Sequence, residues 1–199
     1  YVNSDMVVNT AQRIDILTSQ LYVQSKSFDD IYEMAKNKSE MLSCIPAIMP
    51  VKDTDIYRIS SHFGHRTDPF YKVTKFHGGI DFSGPAGLGI YATGDGVVAK
   101  VEKIKNGYGN NIIIDHGYGY KTRYAHLQTI KVKKGEKVKR GQEIGTLGNS
   151  GKSTAPHLHY EVIKNNKAVN PINFFYNDLT PEEYDNILEL SRLPSQTMD

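Results

Sequence analysis

The chain has 199 residues, 39% of them hydrophobic and 23% charged, which suits one domain with an appendage and excludes wholesale disorder. Its 24 Lys and Arg against 22 Asp and Glu leave a formal net charge of +2, which makes no electrostatic case for nucleic acid. A single cysteine, Cys44, excludes an intramolecular disulfide and any zinc site built from cysteines.

Residues 1 to 24 read as a helix, because Val7, Ala11, Ile14, Leu17 and Leu21 recur at steps of three and four. Ser27-Phe28-Asp29-Asp30 then has the form of a capping box. It predicts a second helix from Phe28 to Met41, with Ile31, Met34, Ala35 and Met41 near one face. Residues 1–45 are thus expected to form a helical hairpin, acting as a coiled coil that self-associates or as a lid on the downstream domain. Pro46 and Pro50 end this region, and residues 46–56 read as an extended linker. No run approaches the roughly 18 apolar residues of a membrane span. A chain that starts at Tyr1 rather than Met is expected to be a processed or truncated form, whose upstream segment would carry any export signal or membrane anchor.

From Tyr57 the texture changes to short β-type runs punctuated by glycine. Gly96–Val101, Asn111–Asp115, Lys121–Tyr124, Thr129–Val132 and His157–Ile163 are the clearest. Their spacing predicts an antiparallel β domain over residues 57–176. The basic stretch from Lys121 to Arg140 reads as the solvated face of a hairpin. Residues 177–199 are expected to hold a short helix near Thr180–Leu190 and a loose tail, since Thr180-Pro181-Glu182-Glu183 supplies a cap, a first-turn proline and acids.

The chemistry concentrates in histidines. His157 and His159 stand two apart in a strand-forming run, so both rings project to one side. His77 and Asp81 stand four apart, but Gly78-Gly79 between them argues against a helix. A flat strand would hold the pair about 13 Å apart, so only a bend at the glycines lets both reach one metal ion. The same residues fit a turn with a surface His and Asp equally well. His126 follows a predicted strand at Ala125. His and Asp sets with an open coordination position activate water at neutral pH. The His-Glu-x-x-His zinc motif is absent. Iron is a rival for a two-His, one-carboxylate set, although oxygenase spacing is tighter. Gly148–Ser153 is not a phosphate loop, because Thr146 stands where that motif needs glycine.

Four segments together resemble the lysostaphin-type (LytM-like) zinc endopeptidases of peptidoglycan. They are Ser61-His62-Phe63-Gly64-His65-Arg66, Phe76-His77-Gly78-Gly79-Ile80-Asp81-Phe82, Tyr124-Ala125-His126-Leu127 and Pro156-His157-Leu158-His159-Tyr160-Glu161. They occur in family order, and the resemblance covers residues 57 to 175. It implies an open antiparallel sheet with a long cleft, related to the barrel-sandwich hybrid. It implies one zinc ion per chain, held by His77, Asp81 and His159. His126 and His157 would bind or polarise the attacking water and stabilise the oxyanion. The implied substrate is peptidoglycan peptide and the implied place is the bacterial cell envelope. Arg66, His65, Asn149, Ser150 and Tyr160 are candidates for the substrate cleft. Their alternatives are a surface pairing of Arg66 with Asp68, and simple packing of Tyr160. Some family members have lost ligands and act as non-cleaving activators; none of the five site positions departs from the pattern here. Ala92–Val98 and Val132–Gly145 also resemble lipoyl and biotinyl carrier domains, but no attachment tripeptide is present.

Overall fold

No proline or glycine interrupts Val2–Cys44, and in the computed structural model these 43 residues form one continuous helix, α1. The structure describes residues 2–52, 58–67 and 74–177, with Glu182 and Asp185. The expected hairpin is therefore corrected to a single helix. Ser27 and Asp30 cost only about half a kcal/mol each inside a helix, and no breaker forces the chain to turn there. Thr10 and Thr18 donate their hydroxyls back to the carbonyls of Met6 and Ile14, both at 2.8 Å, and so keep their place in the helix. Side chains from Met6 to Glu40 are exposed. The chain divides into two units, Tyr1–Leu42 and Ser43–Asp199.

The second unit begins where the linker was expected, and this too is a correction. Pro46, Ala47, Met49, Pro50 and Val51 are all buried. Ala47 N donates to Thr93 O and Tyr91 N donates to Pro50 O, so the segment is fastened to the domain by its backbone. The proline pair keeps it extended.

Among the described residues thirteen strands come next: β1 (Arg58–Ser61), β2 (Gly64–Thr67), β3 (Thr74–His77), β4 (Ile80–Ser83), β5 (Gly89–Tyr91), β6 (Gly96–Lys103), β7 (Asn110–Gly117), β8 (Tyr120–Ala125), β9 (Thr129–Ile130), β10 (Lys137–Val138), β11 (Glu143–Thr146), β12 (His157–Lys164) and β13 (Lys167–Val169). Every pairing among the described residues is antiparallel. The main sheet runs β1-β4-β12-β8-β7-β6-β10, with β13 paired to the far end of β12. Smaller sheets are β5-β11-β9 and β2-β3. A 3-10 helix over Pro171–Asn177 closes the described part of the domain. The C-terminal helix expected near Thr180–Leu190 lies outside the described residues except for Glu182 and Asp185, both helical.

Period-two alternation divides the main sheet into two faces. Leu158, Tyr160 and Val162 of β12, Ile80 and Phe82 of β4, and Tyr124 of β8 enter the core with Ile112, Ile114, Ile172 and Phe175. Their neighbours Asp81, Arg123, His157, His159 and Glu161 belong to the opposite face. That face carries the site.

Candidate metal centre

The register of β4 on β12 sets Asp81 directly opposite His159. Side chains facing each other across an antiparallel pair share a face, and these two touch: His159 Nδ1 lies 2.8 Å from Asp81 Oδ1. His77 arrives from β3. The chain turns at Gly78-Gly79 into β4, which places His77 Nε2 3.1 Å from Asp81 Oδ1 and 3.0 Å from His159 Nδ1. Gly79 is required here, because a Cβ at this position would sit 2.3 Å from the Tyr160 carbonyl oxygen. The bend that a flat strand could not supply comes from this close passage across β12.

All three residues are buried, and their ligand atoms lie within 4.8 Å of one another. Hydrogen bonds behind the rings decide which atoms face inward. His77 Nδ1–H donates to the His62 carbonyl at 2.8 Å, leaving its lone pair on Nε2. His159 Nε2–H donates to Glu161 Oε1 at 3.1 Å, leaving its lone pair on Nδ1. Two imidazole lone pairs and a carboxylate oxygen thus converge, and like partners of this kind need a positive charge between them. A proton can supply it. Burial opposes the imidazolium of His159, but hydrogen bonds to Asp81 and Glu161 outweigh burial and raise its pKa to about 10. Burial likewise opposes ionisation of Asp81, yet hydrogen bonds from His159 and His77 hold it well below the usual carboxylate range. A metal ion can supply the charge by displacing that proton. The donor separations of 2.8–3.1 Å are slightly shorter than the ~3.3 Å edge of a tetrahedron built on zinc bonds of about 2.0–2.1 Å. The residues fit a metal ion with little adjustment.

Two further imidazoles flank the cluster. His126 leaves β8 in a left-handed conformation, φ 61°, which a non-glycine residue holds only when its surroundings enforce it. Here His126 N donates to Tyr108 O, and its Nδ1–H donates to Ser150 O at 2.7 Å. His157, two residues before His159 on the same face, donates Nδ1–H to Ala155 O at 2.9 Å. Both rings therefore carry their lone pair on Nε2. Their centroids are 4.6 Å apart, and His126 is 6.1 Å from His159. A cavity of about 570 Å³ opens over the group, lined in part by Arg66, His77, Tyr108, His126, His159 and Glu161.

The expected cleft residues separate. Arg66 lines the cavity, but its guanidinium also donates to Ser61 Oγ at 2.8 Å and pairs with Asp81 Oδ2 at 3.5 Å. It backs the ligand carboxylate; Asp68 lies outside the described residues. His65, one residue away on β2, is exposed and packs edge-on against Phe76 at 5.3 Å. Asn149 is exposed outside the cavity lining. Ser150 is a brace rather than a wall of the cleft: its hydroxyl donates to Leu127 O and accepts from Asn110 N, while its carbonyl holds His126. Tyr160 is excluded from the cleft outright. It is fully buried on the core face, its hydroxyl 2.9 Å from Thr93 Oγ1.

Glu161, Arg123 and Tyr108 stand outside the expected set of site residues, Tyr108 being readable from sequence as a stacking ring or a plain glycine-tyrosine turn. Glu161 is 5% exposed and accepts from His159, from the Tyr108 hydroxyl at 2.8 Å and from Arg123 at 2.8 Å. Arg123 lies over the Tyr108 ring at 4.1 Å. The available signal was the alternation His157-x-His159-x-Glu161, which puts all three on one face.

Residues 75–171 match the model of peptidase family M23. The chain is 49% identical over 115 residues to peptidoglycan DD-endopeptidase ShyA of Vibrio cholerae serotype O1, covering 57% of this chain and 26% of that protein. It spans less than half the length of the curated relatives it matches. Among solved structures, a zinc containing peptidase from Vibrio cholerae shares 45% identity with a TM-score of 0.57, covering 61% of this chain and 37% of that one. The catalytic domain of the antimicrobial peptidase lysostaphin from Staphylococcus simulans shares 32% identity with a TM-score of 0.54, covering 59% of this chain and 91% of that one.

Proposed function

The chain belongs to peptidase family M23, and from that premise we propose that it is a zinc metalloendopeptidase that hydrolyses amide bonds in peptidoglycan cross-links or stem peptides. The observation that carries this reading is the convergence of the His77, Asp81 and His159 lone pairs beside two imidazoles that take no part in the cluster. Three such donors are what a catalytic zinc site uses, with a position left for reactants. A structural site, or a scaffold that binds without cleaving, has no use for His126 and His157.

A zinc ion held by His77, Asp81 and His159 supplies Lewis acidity at neutral pH. The chain's own residues do the rest. His126 or His157 accepts the proton of the attacking water at Nε2. The imidazolium so formed stabilises the tetrahedral oxyanion and then protonates the leaving amine. Hydrogen bonds to Ser150 O and Ala155 O keep Nε2 of each ring toward the reaction. Arg66 pairs with the second carboxylate oxygen of Asp81 and helps hold it in place.

Peptidoglycan lies outside the cytoplasm, so a protein with this substrate acts in the cell envelope. No helix among the described residues is long and apolar enough to cross a membrane. Self-association through α1 is part of the proposal: Val7, Ile14, Leu21 and Phe28 are exposed at seven-residue steps, the period of a helix-to-helix seam. Light scattering on the full chain and on one lacking residues 1–42 tests it, and a full chain with the mass of a monomer would remove it. The enzymatic reading is tested by elemental analysis and by digestion of purified sacculi. One zinc per chain and release of fragments with new amino termini are expected; no zinc and no fragments would overturn it.

A further inference from the structure

The face that carries the ligands continues past the cavity. Glu161 pairs with Arg123, Arg123 with Ile113, and Ile113 with Lys100, one registered row across β12, β8, β7 and β6. In the next row Ile163 pairs with Lys121. Ile163 and Asn166 line the cavity over the metal centre and also a second depression of about 460 Å³. The two hollows share these walls and so adjoin on the face of the sheet that carries the ligands.

The second hollow has a different chemistry from the first. Ala99, Ile113 and Ile163 give it an apolar floor, and Lys100, Lys121 and Lys134 stand around it. Among the described residues, no carboxylate and no aromatic ring lines it. The basic stretch Lys121–Arg140 is therefore more than a solvated hairpin face, since folding gathers Lys121 and Lys134 around one hollow with Lys100 from a distant part of the chain. Lys100 pairs with Glu102 at 2.7 Å and Lys121 with Asp115 at 3.6 Å, but such exposed pairs are worth little and exchange readily. Sugars or bases would want a ring to stack on, and three lysines are few for a polyanion. Methyl and methylene groups on the floor with carboxylates at the rim describe an acidic peptide.

We propose that this hollow is a subsite for a carboxylate-bearing segment of the peptide substrate, a reading that rests on the hydrolase assignment above. Lys100 stands three strands from β12, about 14 Å at the usual strand spacing. That is the reach of about four extended residues, so the recognised carboxylates lie about four residues from the bond that is cut.

The test uses the zinc-loaded full chain and a fluorescein-labelled alanine hexapeptide ending in two glutamates, compared with a twin ending in two glutamines. Binding is read by fluorescence anisotropy, and digestion of sacculi is followed in parallel. The acidic peptide is expected to bind about tenfold more tightly, the sum of a few exposed charge pairs, and added salt should erode the preference. The triple variant Lys100→Gln, Lys121→Gln, Lys134→Gln should lose the preference while keeping its zinc and its melting temperature. Lys134→Gln alone, in an exposed loop, should lose part of it. Equal binding of the twins, no binding of either, or a preference that survives the triple variant would overturn the subsite. Preference without any digestion would instead overturn the hydrolase reading and leave the subsite standing.

Discussion

Replacing Glu161 by Gln should weaken zinc binding without touching a ligand. The carboxylate accepts three hydrogen bonds: Oε1 takes His159 Nε2–H and the Tyr108 hydroxyl, and Oε2 takes Arg123. An amide of the same shape offers one oxygen and one N–H₂ group. If the oxygen faces His159, the N–H₂ meets the Arg123 guanidinium, donor against donor. If it faces Arg123, the N–H₂ meets His159 Nε2–H, and the ring is no longer held with Nδ1 inward. A hydrogen bond to a charged group is worth about 1.5–3 kcal/mol, and partners behind a ligating histidine typically change metal affinity about 10–100-fold. At about 1.4 kcal/mol per factor of ten the two estimates agree. The expected result is a zinc dissociation constant raised about 10–100-fold, measured by competition with a chromophoric chelator. Tyr108→Phe removes one donor and leaves the carboxylate, so it should cost less. A Glu161→Gln protein that binds zinc within about twofold of the parent would refute the reasoning, and would mean that packing alone orients His159.

The same geometry carries other consequences. In protein stripped of metal, His159 is raised from 6.5 to about 10, so its contribution to stability is complete below pH 6.5 and lost as pH rises through 10. Asp81 is lowered from 3.8, so its contribution is complete above that pH and lost on further acidification. Melting temperature without metal should therefore be highest between about pH 4 and 6.5 and fall above it. The gain on adding zinc should widen over the same rise; a constant gain would contradict a site held by a displaceable proton. Tyr160→Phe should cost about 1 kcal/mol in denaturant melts, the worth of one buried hydrogen bond, and leave kcat/KM unchanged. A large drop in kcat/KM would return Tyr160 to the cleft. Gly79→Ala drives a methyl group into the Tyr160 carbonyl and should cost about 3 kcal/mol and zinc stoichiometry together; a protein with parental stability would show that β3 and β4 can separate from β12 freely.

Much of this site can be read from spacing, and the limits of that reading are physical. The antiparallel β domain was legible because glycine punctuates β-branched runs at short intervals. His157-Leu158-His159-Tyr160-Glu161 holds a further constraint in its alternation: if the histidines share one face, Tyr160 belongs to the other and Glu161 joins the ligands. Helix continuity through Ser27 was hidden because a capping pattern reports a local preference of about 1 kcal/mol, while continuation is decided by the absence of any breaker. Burial of Ala47, Met49 and Val51 was hidden because the backbone partners of this segment, Tyr91 and Thr93, lie more than forty residues on. Arg66 was legible as a cleft residue, but its contact with Asp81 depends on how β2 and β4 are brought together, which no local pattern encodes.

The place of β12 has a consequence for how the protein comes into being. It lies inside the main sheet, between β4 and β8, yet it is the last long strand to be synthesised. It brings His157 and His159, so a nascent chain that ends before it has an incomplete metal site and a sheet with its middle missing. Pairings this far apart in sequence form late and slowly, because the loop must close before the contact rewards it. On the hydrolase proposal, competence should thus switch on abruptly, only once the whole domain has emerged, and a prematurely terminated chain carries no blade.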